Sequence, residues 1–196
     1  YLLMTQSGTT LFMQWPSAED ALWHGPSVDP AAVGAQIGCE VRPLTALAAA
    51  VDPGAAMTIA PPRAADAQVL TALLNRPITP GHHAPEDMPF VQAMIAARSL
   101  HDQAAIAQLR RAAQATARAF AAGRSAAAPG VCEARVKAQM VAAIAQDQMT
   151  TSFDPIVSVR GEILHNHDSG GTMQAGDLLL VDFGAETRLG WAADVT

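Results

Sequence analysis

The sequence predicts two successive units, an α/β layer structure followed by an α+β unit in which paired helices precede a strand hairpin. Three observations carry this. Short strand-like and helix-like stretches alternate through residues 1–76, the pattern of a layered α/β structure. A stretch rich in proline, residues 77–89, then interrupts the chain as linkers do. Beyond it, two helical periodicities lead to an apolar run and a hairpin pattern at residues 178–196. The expected division is residues 1–87 and residues 88–196.

In order, residues 2–4 and 10–15 are strand candidates around Ser7-Gly8. Ser17, with Asp20 three residues on, has the form of a capping box and starts a helix. Asp29-Pro30 opens another, with proline at its first position, and Gly38 closes it. Residues 39–42 and 56–60 are expected as strands, and 44–51 and 63–74 as helices. His82 and His83 stand side by side in the proline-rich stretch, where solvated side chains are expected. A long helix is expected over residues 100–122, entered at Ser99-Leu100-His101-Asp102, with Ile106, Leu109, Ala113, Ala117 and Phe120 as its apolar stripe. The next, residues 131–146, turns Val136, Met140, Ala143 and Ile144 inward. A strand over 153–159 precedes Ile163-Leu164-His165.

Composition bounds the function. Half of the 196 residues are hydrophobic, which is enough for a real core. A net charge of −6 argues against nucleic-acid binding, which needs a basic patch. The sequence has no apolar run long enough to suggest a membrane span. The first residues, Tyr-Leu-Leu-Met-Thr-Gln, lack the basic start of a signal peptide. Cys39 and Cys132 have no metal-ligand spacing and read as free thiols in a reducing cytoplasm. The chain has no initiator Met and opens within an apparent strand, so an earlier segment is expected.

The most informative stretch is the hairpin. Leu178-Leu179-Leu180-Val181 leads into Asp182, a polar turn follows, and the second apolar segment carries Asp194. Centred on Arg188, the hairpin sets Asp182 directly opposite Asp194, on one face. Carboxylates placed so repel, and either one takes a proton or a cation sits between them. Oxygen donors of this kind suit divalent metals. The alternative is a surface hairpin with two solvated aspartates.

The residues around the pair, Gly-Asp-Leu-Leu-Leu-Val-Asp-Phe-Gly-Ala-Glu and Gly-Trp-Ala-Ala-Asp-Val-Thr, resemble the first metal-ligand segment of the pita-bread metallopeptidases. Ile163-Leu164-His165 resembles the Leu-His of the aminopeptidase P-like members, and Pro129 to Glu133 resembles the start of the second helix of such domains. The resemblance implies an aminopeptidase P-like α/β N-terminal domain at 1–87, followed by the first half of an α+β pita-bread catalytic domain at 88–196. It makes Asp182 and Asp194 metal ligands, His165 a catalytic residue that lines the substrate pocket, and His167 a second substrate-binding residue. Two divalent ions are implied, manganese first and cobalt or zinc as substitutes. The implied activity is removal of the residue before proline from peptides by a metal-activated bridging hydroxide, in a cytoplasmic homo-oligomer without nucleic-acid or membrane partners. A prolidase confined to Xaa-Pro dipeptides is the close alternative, and a non-catalytic pita-bread binding module is the distant one. Such modules and creatinase-like, metal-free hydrolases have lost the ligands, whereas both aspartates stand here. The family completes its site with a downstream His and two Glu. The sequence ends at Thr196, so residues 1–196 alone are expected to be inactive.

Overall fold

The hydroxyl of Ser17 accepts the Asp20 N–H, and the Asp20 carboxylate accepts the Ser17 N–H in return. This reciprocal cap starts α1 (Ala18–His24) in the computed structural model, which describes residues 1–26 and 28–196. The chain forms two compact units, Tyr1–Arg98 and Ser99–Thr196.

In the first unit, β1 (Leu2–Thr5) and β2 (Gly8–Met13) form an antiparallel hairpin, and β3 (Glu40–Pro43) lies parallel to β2. The crossover between them contains α1 and α2 (Pro30–Ile37), as parallel pairing requires. Asp29 caps α2, Pro30 opens it and Gly38 closes it in the left-handed region, each as the sequence indicates. Helical turns at 44–50, including α3 (Leu47–Ala50), lead to α4 (Ala64–Leu74) and α5 (Met88–Arg98). Ala60, Ala67, Leu74 and Ile78 form the buried cluster here.

Residues 56–60 are not a strand. The Thr58 N–H is taken by Asp87 Oδ1 at 2.8 Å and the Ala60 N–H by His83 Nδ1 at 3.1 Å. Side chains thus supply the acceptors that a neighbouring strand would otherwise provide. Asp87 is buried and forms a bidentate pair with Arg76, at 2.5 and 3.0 Å. Burial pushes its carboxyl up, but the hydrogen bonds from Arg76 and Thr58 and the charge of Arg76 outweigh burial and hold it below the ordinary range.

In the second unit, α6 (Gln103–Ala126) packs on α7 (Glu133–Ala145). Asp102 caps α6 by accepting the Ala105 N–H at 2.7 Å. The predicted stripe is rotated: Ala113 and Ala117 face solvent, and Ala105, Ala112, Ala115, Thr116, Ala119 and Gly123 are buried. The cause is close approach of the two helices. A Cβ on Gly123 would stand 2.7 Å from Met140 Sδ, so small residues occupy the seam and larger ones flank it. Val136, Met140 and Ile144 of α7 are wholly buried, as expected.

Four short strands follow: β4 (Thr150–Thr151), β5 (Ile156–Ser158), β6 (Leu180–Asp182) and β7 (Ala185–Glu186). β4 pairs with β7 and β5 with β6, all antiparallel. Phe153, Asp154 and Pro155 together span the stretch opposite Phe183, because Ser152 bonds Gly184 and Ile156 faces Asp182. This bulge bends the outer strand around the central one. Phe183 and Ala185 are wholly buried against Ala119, Val136, Met140 and Val157. Among the described residues, no helix is long and apolar enough to cross a membrane.

Candidate functional site

The central strand, residues 180–187, has one apolar face and one polar face, as alternation in a half-buried strand dictates. Phe183 and Ala185 point into the core with Val181 packed beside them, which leaves Asp182, Gly184 and Glu186 on the opposite face. Residues 191–195 return alongside. The Phe183 and Val195 backbones exchange both hydrogen bonds, at 2.9 and 3.2 Å, and Glu186 pairs with Ala192.

This register is shifted by two residues from the one expected. The turn is centred on Leu189 and not on Arg188. The Thr187 N–H bonds the Trp191 carbonyl, the Gly190 N–H bonds the Thr187 carbonyl, and Gly190 has φ 78°. A three-residue loop ending in a left-handed residue is a common hairpin closure. Asp182 therefore faces Thr196, whose hydroxyl donates to Asp182 Oδ1 at 3.1 Å, and Asp194 faces Gly184. The two carboxylates are diagonal neighbours on one face and not direct opposites. Asp182 is half-buried and Asp194 is exposed.

The ladder is interrupted at Ala185 and Ala193, and side-chain hydroxyls fill both vacated places. Thr116 Oγ1 on α6 accepts the Ala185 N–H at 3.0 Å and donates to the Ala112 carbonyl at 2.9 Å. Ser152 Oγ donates to the Ala193 carbonyl at 2.8 Å. To do so it crosses the central strand at Gly184, where a Cβ would stand 2.4 Å from Ser152 Oγ and 1.8 Å from the Ala193 oxygen. The missing side chain at Gly184 is what lets an outer strand fix the backbone next to Asp194. Glycine after the Asp-Phe pair was visible in the sequence; the crossing hydroxyl gave no signal there.

His165 lies exposed in the turn after β5, between exposed Leu164 and half-buried Asn166. His167 Nδ1 is 3.1 Å from Asp154 Oδ2, and Lys137 Nζ is 2.9 Å from Asp154 Oδ1. The hydrogen bond from Lys137, then its charge, hold the Asp154 carboxyl below the ordinary range, with His167 adding to the effect. His101 meets Trp191 edge-on, with ring centroids 5.3 Å apart, a contact for which the sequence held no cue.

The aspartate oxygens are hard donors and fit a divalent ion in kind. They do not complete a set: among the described residues, no three or more His, Cys, Asp or Glu side chains gather around one point. Asp182 and Asp194 can thus serve as two ligands of a larger site. Glu186 shares their face of the central strand, and its neighbour across the ladder is Thr150.

The sequence model of metallopeptidase family M24 matches residues 107–196. No curated protein matches the sequence. Among solved structures, the chain is similar to proline aminopeptidase P II from Yersinia pestis, with TM-score 0.76 and 20% identity over 95% of this chain and 46% of that one. It is similar to zinc-substituted Escherichia coli aminopeptidase P in complex with product, with TM-score 0.75 and 22% identity over 95% and 45%. It is also similar to Pseudomonas aeruginosa aminopeptidase PepP, with TM-score 0.73 and 20% identity over 97% and 46%. The chain spans slightly under half the length of these structures.

Proposed function

From an M24 metallopeptidase region within an aminopeptidase P fold, we propose that the chain is part of a metal-dependent Xaa-Pro aminopeptidase, which releases the residue preceding proline. The observation that carries this reading is the placement of Asp182 and Asp194 on one face of the 182–195 ribbon, inside the matched region. In this reading the two carboxylates hold part of a dinuclear site, for which manganese suits the oxygen donors and cobalt or zinc substitutes. Bound divalent ions would supply an activated water and polarisation of the scissile carbonyl.

The chain's own residues position and orient. Ser152, through the Ala193 carbonyl, fixes the strand that carries Asp194. Thr196 fixes a carboxylate oxygen of Asp182. His165, exposed in its turn, offers a ring nitrogen to a bound peptide, and His167 lines the same segment while paired with Asp154. The domain limits proposed for this reading are residues 1–87 and 88–196. A cytoplasmic homo-oligomer without nucleic-acid or membrane partners remains the proposed setting, consistent with a net charge of −6.

Prolidase is the second reading, since it uses the same ligands on dipeptides. The test is hydrolysis of an Xaa-Pro dipeptide beside an Xaa-Pro-containing tripeptide, with a proline-free tripeptide as control. Preference for the tripeptide is the expected result. Cleavage of the dipeptide alone selects prolidase, and equal cleavage of the proline-free peptide overturns both.

A further inference from the structure

Glu133 is a buried carboxylate that forms no ion pair among the described residues and is held by hydrogen bonds instead. It opens α7, where the helix dipole favours a negative charge. Its Oε1 accepts the Val159 N–H at 2.7 Å and the Ser158 hydroxyl at 3.3 Å, and its Oε2 accepts the Gly171 N–H at 3.0 Å. Val159 and Gly171 are the two ends of one excursion, the segment that leaves β5 and returns to α7. The fit at the returning end is close: a Cβ on Gly171 would stand 2.6 Å from Glu133 Oε1. Both arms of the loop are thus closed on one carboxylate.

The middle of the loop is tied to the same group. Ser158 Oγ accepts the Arg160 N–H at 3.0 Å and Asn166 Nδ2–H at 3.0 Å. Both partners are donors, so the hydroxyl's one hydrogen is left for Glu133, and its donor and acceptor capacity is filled. Asn166 is the residue after His165. The Asn166 N–H closes a turn on the Ile163 carbonyl at 3.2 Å, and Ile163 N–H closes one on Arg160 at 3.0 Å. The Asn166 side chain thus ties the His165 turn through Ser158 to Glu133, while His167 on Asp154 and the Ser169 carbonyl on the Ala134 N–H hold the returning arm separately.

We infer that Glu133, acting through Ser158 and Asn166, is the positioning residue that holds the 159–171 segment so that His165 is presented to substrate. This rests on the reading of His165 as a residue of the peptide site, so the test has one arm that needs no activity. Glu133→Gln keeps the shape but replaces one accepting oxygen with an NH2 group, which must face a donor at one end of the loop. Amide hydrogen exchange on the 196-residue chain should then rise about tenfold or more at Val159, Arg160, Asn166 and Gly171, the size expected when a buried donor loses its acceptor. The amides of α6 should keep their rates. Asn166→Ala spares the carboxylate and should raise exchange only around residues 163–168, since it also removes the acceptor of the Asp168 N–H.

Unchanged exchange at Val159 and Gly171 in Glu133→Gln overturns the proposal. So does a uniform rise across α6 and α7, which would mark Glu133 as a general stabiliser. The second arm is a double-mutant comparison of peptide hydrolysis in the metal-loaded enzyme. If Glu133 acts through His165, Glu133→Gln lowers kcat/KM in wild type but adds less than twofold on top of His165→Ala. Full additivity overturns the coupling. If the enzyme hydrolyses no Xaa-Pro peptide while the exchange result holds, the functional reading fails and the loop assignment stands.

Discussion

Replacing Gly184 by alanine tests the geometry of the ribbon. Ordinarily glycine to alanine in extended backbone stabilises by about 0.4–1 kcal/mol, because the unfolded chain loses freedom. Here the added Cβ would stand 1.8 Å from the Ala193 oxygen and 2.4 Å from Ser152 Oγ. A backbone oxygen on a paired strand cannot swing aside as a side chain does, so residues 192–196 must move away. Four hydrogen bonds then fail together: Ser152 to Ala193, Ala193 to Ala185, and the two exchanged by Phe183 and Val195. At about 1 kcal/mol net for each, the loss approaches 4 kcal/mol, and the gain from the unfolded chain offsets less than a quarter of it. The expected result is destabilisation of about 3 kcal/mol in urea unfolding of the 196-residue chain, with the exchange protection of the Ala193 and Val195 amides lost first. Gly54→Ala is the control, since its Cβ meets only Asp52 Oδ1 at 3.5 Å, an ordinary contact. A Gly184→Ala chain as stable as wild type, with Val195 still protected, would refute the crossing of Ser152 beneath the strand and the fixation of Asp194 that follows from it.

Three further outcomes follow from the same geometry. In the metal-loaded enzyme, Asp194→Asn should lose most bound metal and activity, measured by elemental analysis beside peptide hydrolysis; near-normal metal content in an inactive variant would refute its role as a ligand. His165→Ala should lower turnover at least tenfold while metal stoichiometry stays constant, and metal lost in step with activity would make His165 a ligand instead. Asp87→Asn should destabilise the first unit by roughly 3 kcal/mol at neutral pH, the lower end for a broken buried pair, because mostly buried Arg76 loses its bidentate partner and keeps only exposed Glu86 at 3.5 Å. The Asp87 carboxyl is held below its ordinary value, so its contribution is complete above the unfolded-state value near pH 4 and is lost as pH falls through the lower folded-state value. Acid titration of wild type should show that loss below about pH 4, and the Asp87→Asn chain should lack it.

The parts of the fold that were legible in the sequence are those set by local chemistry. Ser17 with Asp20, Asp29-Pro30 and Gly38 act through backbone groups a few residues away, so their spacing is sufficient evidence for the helix ends they make. Met140 and Ile144 were legible because large apolar residues at helical spacing have one place to go. The stripe of α6 is not legible in the sequence because its buried face consists of alanine, threonine and glycine. Hydrophobicity does not separate buried Ala112 from exposed Ala113; only packing between elements distant in sequence does. Residues 56–60 failed for a different reason. Their N–H groups are satisfied by Asp87 and His83, both distant in sequence, and no local pattern announces a side chain that substitutes for a strand.

The hairpin shows how a register can be misplaced while the functional inference survives. A hairpin centred on Arg188 leaves out the preference of Gly190 for the last, left-handed place of a three-residue loop. Thr187 and Trp191 close that loop, and every pair beyond it moves by two. A slip of one residue would have sent Asp194 to the core face; a slip of two preserves the face and changes only the partner. Asp182 and Asp194 therefore remain together, but on a diagonal, where Cα separations are roughly 7–8 Å and not the 4.5–5.5 Å of direct opposites. The like-charge repulsion between the pair is correspondingly weaker than for direct opposites, and Thr196 already donates to one oxygen of Asp182. What marks these carboxylates is thus their shared polar face backed by a buried one, with Ser152 holding one strand and Thr116 the other. A rigid ribbon with two oxygen donors aimed the same way can serve as part of a metal site without being strained before the metal arrives.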